Sequence, residues 1–183
     1  STNAISIIVP CYTYGVYLSD ALHSIAMQTF HDWECIIIDD GSTDNTKSVA
    51  SEYCTKDRRF RYLHQENRGL SNARNTGVQN TKSEFIQFLD ADDILEPRKL
   101  EAHVNYLKAH ANIDLVYGDA RFFESNNPTT HHLTLHGEST DWMPRVSGQG
   151  KTILKHLVKS NFMVVSSPLL SRQLFTDNGY FNE

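Results

Sequence analysis

Two aspartates separated by one residue, Asp90-Ala91-Asp92, follow the apolar run Glu84 to Leu89. At the end of a strand this spacing puts both carboxylates on one side and turns Ala91 away. Paired carboxylate oxygens suit a hard divalent ion, Mn²⁺ or Mg²⁺, rather than a softer metal. Such an ion keeps positions open for phosphate oxygens, so a diphosphate would complete its shell, and the ion would neutralise charge growing on a leaving group. An Asp-x-Asp alone is short enough to arise by chance, and aspartates after strands often cap helices or form Asx-turns. The weight comes from a second cluster. Asp39-Asp40 follow the run Glu34 to Ile38, and Asp93 follows Asp92. Five carboxylates are therefore expected along one edge of one sheet, where they would repel each other unless a cation or a hydrogen-bond donor relieved them. No His or Cys cluster competes for a softer metal there.

The elements that would position these groups alternate along the chain. Ile5 to Val9 is a β-branched strand ending at Pro10, and Leu18, Leu22 and Ile25 then recur at helical spacing. Glu34 to Ile38 is apolar on both faces, as a central parallel strand is. Gly41-Ser42-Thr43-Asp44 supplies a turn and capping oxygens for a helix carrying Val49 and Tyr53. Phe60 to His64 reads as a third strand, Leu70 to Val78 as a helix, and Glu84 to Leu89 as the fourth strand. Leu100, Val104 and Leu107 line the next helix. Asp114 to Tyr117 reads as a fifth strand and Ala120 to Phe123 as a sixth. The pattern dissolves from Ser125 to Gly150, where a long irregular segment is expected to be functional or mobile. A helix (Thr152 to Val158), a strand-like stretch (Ser166 to Leu170) and a short helix from Ser171 close the chain. The alternation predicts an α/β fold with a doubly wound, mostly parallel sheet flanked by helices.

The 183 residues fit one domain, and the composition is that of an ordinary globular protein. The net charge of −5 and the lack of a basic run argue against nucleic acid as a partner. No apolar stretch approaches the roughly 18–20 residues that span a bilayer, and no secretory signal is visible. Cys11, Cys35 and Cys54 are odd in number and lack CxxC spacing. They read as reduced structural thiols, with a nucleophilic Cys11 as the lesser option.

Four ordered motifs carry a family resemblance. Val9-Pro10-Cys11-Tyr12, Ile38-Asp39-Asp40-Gly41-Ser42-Thr43-Asp44, Glu66 to Gly77 and Phe88-Leu89-Asp90-Ala91-Asp92-Asp93 resemble family 2 glycosyltransferases with the GT-A fold, in order and in interval. The resemblance covers residues 5 to about 118 strongly. It resumes at Ser166 to Leu169 and at Gly179 to Glu183. It implies a single GT-A domain, with a nucleotide-binding half at 1–118 and part of an acceptor-side half at 119–183. It also implies site roles. Pro10 and Tyr12 would line the base and ribose. Asp40 would accept a hydrogen bond from the base, uracil above all. Arg74, or a neighbour between Asn67 and Asn75, would lie near base or phosphates. Asp90 would sit near the ribose and the metal's water shell, Ala91 between, and Asp92 would ligate the Mn²⁺ or Mg²⁺ that bridges the diphosphate. The partners implied are a UDP-type sugar donor and a saccharide or lipid-linked acceptor, for polysaccharide or cell-envelope glycan synthesis. The implied location is the cytoplasm, with peripheral attachment to the membrane as an option.

Two departures matter. Family members usually carry Asn where this chain has Thr13, which puts the shape of that loop in question. The family's general base follows the stretch matched here by Gly179 to Glu183, so the base of an inverting transfer is expected beyond Glu183, and the chain is expected to be truncated at its C-terminus. A sugar-nucleotide-binding module without catalysis is thus the rival reading. A nucleotidyltransferase would need a Gly-rich, Arg-containing loop where Pro10 to Gly15 stands. A phosphoacceptor domain would need a lysine where Gly118-Asp119 stands. His131, His132 and His136 read as a solvated loop rather than a zinc site. Trp142 and Met143 read either as acceptor contacts or as a packing anchor.

Overall fold

The computed structural model describes residues 2–124, 127–132, 145–159 and 163–183, with the backbone alone for 127–132. Eight strands and six helices are present among them, in the order β1 (Ile5–Cys11), α1 (Gly15–Ala26), β2 (Trp33–Asp39), α2 (Thr46–Lys56), β3 (Phe60–His64), α3 (Leu70–Gln79), β4 (Phe85–Phe88), α4 (Lys99–Ala109), β5 (Leu115–Val116), β6 (Phe122–Glu124), β7 (Asn127–His132), α5 (Lys151–Lys159), β8 (Leu169–Ser171) and α6 (Gln173–Asn178). Six strands form one sheet in the order β3-β2-β1-β4-β8-β5, and β6 and β7 form a separate antiparallel pair.

β1 is buried along its whole length between β2 and β4. Side chains alternate across a strand, so β1 feeds two cores. Ile5, Ile7, Val9 and Cys11 pack with Leu18, Leu22 and Ile25 of α1, Ala50 of α2 and Leu100, Val104 and Leu107 of α4. Ile8 packs on the other face with Ala73 and Val78 of α3 and Phe175 of α6. Leu18, Leu22 and Ile25 are 0% exposed, and each such burial stabilises the fold by about 1.5–3 kcal/mol. Gly77 lets α3 approach closely, since a Cβ there would lie 2.3 Å from Ile8 Cγ2.

β1 to β4 are parallel, as the alternation predicts. The sheet is nonetheless mixed, because β8 inserts antiparallel between β4 and β5. Tyr117 Oη bonds the backbone of Val146, and Ser167 Oγ bonds the backbone of Gly118, which continues the antiparallel register of β5 and β8. The expected sixth strand is displaced to Phe122–Glu124 and belongs to the small pair. Part of the segment read as irregular is β7, so the backbone of His131 and His132 is extended rather than looped. His136, Trp142 and Met143 lie outside the described residues.

Candidate functional site

The turns after β1, β2, β3 and β4 converge on the carboxyl edge of the sheet, where open α/β folds bind ligands. The first two are tied together. Thr13 N–H donates to Ser42 Oγ at 2.9 Å, and Gly15 N–H donates to Asp44 Oδ2 at 2.9 Å. Asp44 Oδ1 also takes the N–H and hydroxyl of Thr46, the first residue of α2. Thr13 sits at φ 55°, in the left-handed region that asparagine tolerates better than a β-branched residue. Pro10 is buried within β1, whereas the Tyr12 side chain is 51% exposed.

The five carboxylates do not form one repelling set. Asp39 is 1% exposed, and its oxygens accept from Ser42 N–H (2.8 Å) and Tyr62 Oη (2.5 Å), with His64 Nδ1 at 3.3 Å. Burial pushes its carboxyl up, but these hydrogen bonds outweigh that and hold it below the usual range. Asp40 is 3% exposed and braces the turn after β3. It accepts from Gln65 Nε2 (2.7 Å), Arg68 N–H (3.0 Å) and Gly69 N–H (2.8 Å). A carboxylate has about four lone-pair sites, so one acceptor position of Asp40 takes no donor among the described residues. Asp93 accepts from Ser166 Oγ at 2.5 Å. Burial, followed in size by that opposing hydrogen bond and then by the charges of Asp90 and Asp92, leaves its carboxyl raised. The protein's own donors therefore serve three of the five, so of the two expected kinds of relief it is hydrogen bonding that these three receive.

Asp90 and Asp92 remain. Asp90 Oδ1 pairs with Arg74 Nη2 of α3 at 2.9 Å, with the two side chains 35% and 12% exposed. Ala91 is 5% exposed and points away, as the spacing predicts. Asp92 is exposed, and its carboxylate takes no hydrogen bond from the described residues. Arg74 Nε is buried without a partner among them, so a donor stands unused beside the motif. Among the described residues no three ligating side chains cluster. An ion here would take Asp92 directly, Asp90 through water, and phosphate oxygens, a donor set that fits a hard cation keeping open positions.

Sequence reasoning missed Ser166. Its hydroxyl accepts from Asp90 N–H at 3.1 Å while donating to Asp93, and its carbonyl accepts from Gln87 Nε2 at 2.8 Å. Lys99 reaches Gln87 Oε1 and the same carbonyl, and burial drives its amine well below the ordinary lysine value. A serine preceding a strand carries no local signal of this role. Also unforeseen is the seat of Glu183, which accepts from Asn72 Nδ2 (2.7 Å) and Asn75 Nδ2 (2.9 Å) of α3. Asn75 further exchanges two 2.9 Å hydrogen bonds with the backbone of Phe181. Cys11 and Cys35 are buried and Cys54 is partly so; burial raises all three thiols, as expected of structural cysteines. Two hollows of about 600 and 380 Å³ open beside Asp93, the smaller one also touching Asp92, Tyr14 and Tyr17. Neither is lined by Tyr12, Asp40 or Arg74.

The family model for "Glycosyl transferase family 2" matches residues 6–171. The chain belongs to that family. Glycosyltransferase GlyG of Streptococcus pneumoniae is 37% identical over 116 residues, which are 63% of this chain and 38% of GlyG. Glycosyltransferase GlyA of the same organism is 41% identical over 97 residues, 53% of this chain and 14% of GlyA. Among solved structures, S. aureus TarS (1–349) in complex with UDP-GlcNAc superposes with a TM-score of 0.74 at 21% identity, covering 97% of this chain and 48% of TarS. The mannosyltransferase PcManGT of Pyrobaculum calidifontis, in complex with GDP-Man and Mn²⁺, gives 0.70 at 17% identity, covering 100% and 48%. These likenesses establish the GT-A fold. The family member spans about half the length of those structures and less of the curated relatives. No helix among its described residues is long and apolar enough to cross a membrane.

Proposed function

We propose that this chain is the donor-binding part of an inverting glycosyltransferase that takes its sugar from a nucleoside diphosphate, UDP above all. The observation that carries the reading is the free Asp92 carboxylate beside the Arg74–Asp90 pair, on an edge where Asp39, Asp40 and Asp93 are already satisfied. Tyr12 presents an exposed ring that can cover a base. The remaining acceptor position on Asp40 can take the N3–H of uracil, with Pro10 backing the same edge. Arg74 would supply a cation near the phosphates, held in place by Asp90. Asp92, with Asp90 through water, would hold Mn²⁺ or Mg²⁺. That ion, when bound, offsets the charge on the departing diphosphate. PcManGT was solved with Mn²⁺ and TarS with UDP-GlcNAc, which supports both the ion and the donor class.

The acceptor, a saccharide or a lipid-linked one, would enter on the Asp92 side, where the two hollows lie. Glu183 is a poor candidate for the base that activates it. Hydrogen bonds from Asn75 and then Asn72 hold its carboxyl below the usual range, so it takes a proton less readily. The rival, a binding module without catalysis, shares the same donor site.

Calorimetry of UDP with and without Mn²⁺, on this chain and on Asp92→Asn, tests the assignment. Binding should need the metal, and the substitution should weaken it at least tenfold. UDP binding that is absent or indifferent to metal would overturn it.

A further inference from the structure

α5 leaves its apolar side uncovered by the described residues. Leu154 is 56% exposed, Leu157 41% and Val158 77%, and no residue of the helix is buried. At about 3.6 residues per turn, Ile153, Leu154, Leu157 and Val158 share one side, and Lys151, Lys155 and Lys159 run along the other.

The charge on the helix itself indicates what covers it. α5 carries Lys151, Lys155 and Lys159 and no Asp or Glu, in a chain of net charge −5. A basic amphipathic helix of this pattern fits the boundary between anionic headgroups and acyl chains, with the lysine stems lying along the apolar side. A two-fold contact between copies through α5 would instead set like-charged lysines against each other. The tethers at either end give the placement a purpose. Val146 is held by Tyr117 and Ser166 by Asp90 and Asp93, so the segment carrying α5 starts and finishes at the carboxyl edge.

We infer that α5 is a membrane-surface helix that docks the chain on an anionic bilayer. The inference rests on the proposed function only in its purpose: a lipid-linked acceptor would then be presented beside Asp92. The docking itself stands on α5 alone.

Co-sedimentation with phosphatidylcholine vesicles, with and without 30% phosphatidylglycerol, tests it at roughly 0.1 and 0.5 M NaCl. The chain should pellet with the anionic vesicles at low salt, and at least tenfold less with neutral vesicles or at high salt. Leu154→Asp/Val158→Asp should abolish pelleting. Each lysine near an anionic surface is worth about fivefold in partitioning, so Lys151→Gln/Lys155→Gln/Lys159→Gln should weaken it about a hundredfold. Both variants alter exposed positions and should keep the circular dichroism and the UDP affinity of the parent, which separates failure of the docking from failure of the donor site. Absence of anionic-vesicle binding, or equal binding by both variants, would overturn the inference. So would a dimer in sedimentation velocity that Leu154→Asp/Val158→Asp dissolves without any vesicle binding by the parent, because α5 would then join copies of the chain.

Discussion

Arg74 of α3 and Asp90 after β4 meet across the carboxyl edge at 2.9 Å, joining the third motif of the chain to the fourth. The pair orients Asp90 and leaves the Arg74 Nε without a partner among the described residues. Arg74→Met should therefore weaken UDP binding at least tenfold. Arg74→Lys should recover less than half of the lost binding free energy, because an ammonium lacks the planar fork of donors. Calorimetry reads both, and affinity within twofold of the parent for Arg74→Met would remove Arg74 from the site.

Asp40 is predicted to matter before any ligand arrives. Its carboxylate holds Gln65, Arg68 and Gly69, and a hydrogen bond to a charged group is worth about 1.5–3 kcal/mol. Asp40→Asn should lower unfolding stability by about 2 kcal/mol or more in urea titrations without UDP. Unchanged stability with lost UDP binding would make Asp40 a pure ligand contact.

Thr13 occupies left-handed backbone space at φ 55°, where a β-branched side chain is strained. Thr13→Asn should stabilise the chain by about 1 kcal/mol and raise its melting temperature while preserving UDP affinity. A fall in melting temperature would show that the Thr13 hydroxyl, bonded to the Tyr12 carbonyl at 2.7 Å, outweighs the strain.

Stability should fall on mild acidification. Burial, reinforced by the nearby Lys99 charge, drops the His103 pKa from 6.5 to about 4. The unfolded chain then binds a proton that the folded one refuses, so stability is complete above about pH 6.5 and is lost as pH falls toward 4. The loss should be on the order of 2 kcal/mol. Asp39, whose carboxyl is held low, adds a loss of the same sign below pH 3.8. Urea midpoints between pH 7 and 4.5 should shift for the parent and much less for His103→Gln. Parallel shifts in the two would place the titration elsewhere.

The sequence by itself determined the strands and helices up to α4, the order of the four motifs, the direction of Ala91 and the Asp90–Asp92 pair. Those features are local. Apolar period, strand alternation and motif spacing are set by neighbours a few residues apart. Tertiary structure decided which carboxylates remain free, because their partners come from elsewhere in the chain. Ser166 reaches Asp90 across 76 positions, and Glu183 reaches Asn75 across 108. It also decided the antiparallel course of β8 between β4 and β5, a pairing between residues far apart in the chain. Asp39, Asp40 and Asp92 look alike as letters. Folding carries donors to the first two and, among the described residues, brings none to the third, which leaves the Asp92 carboxylate open.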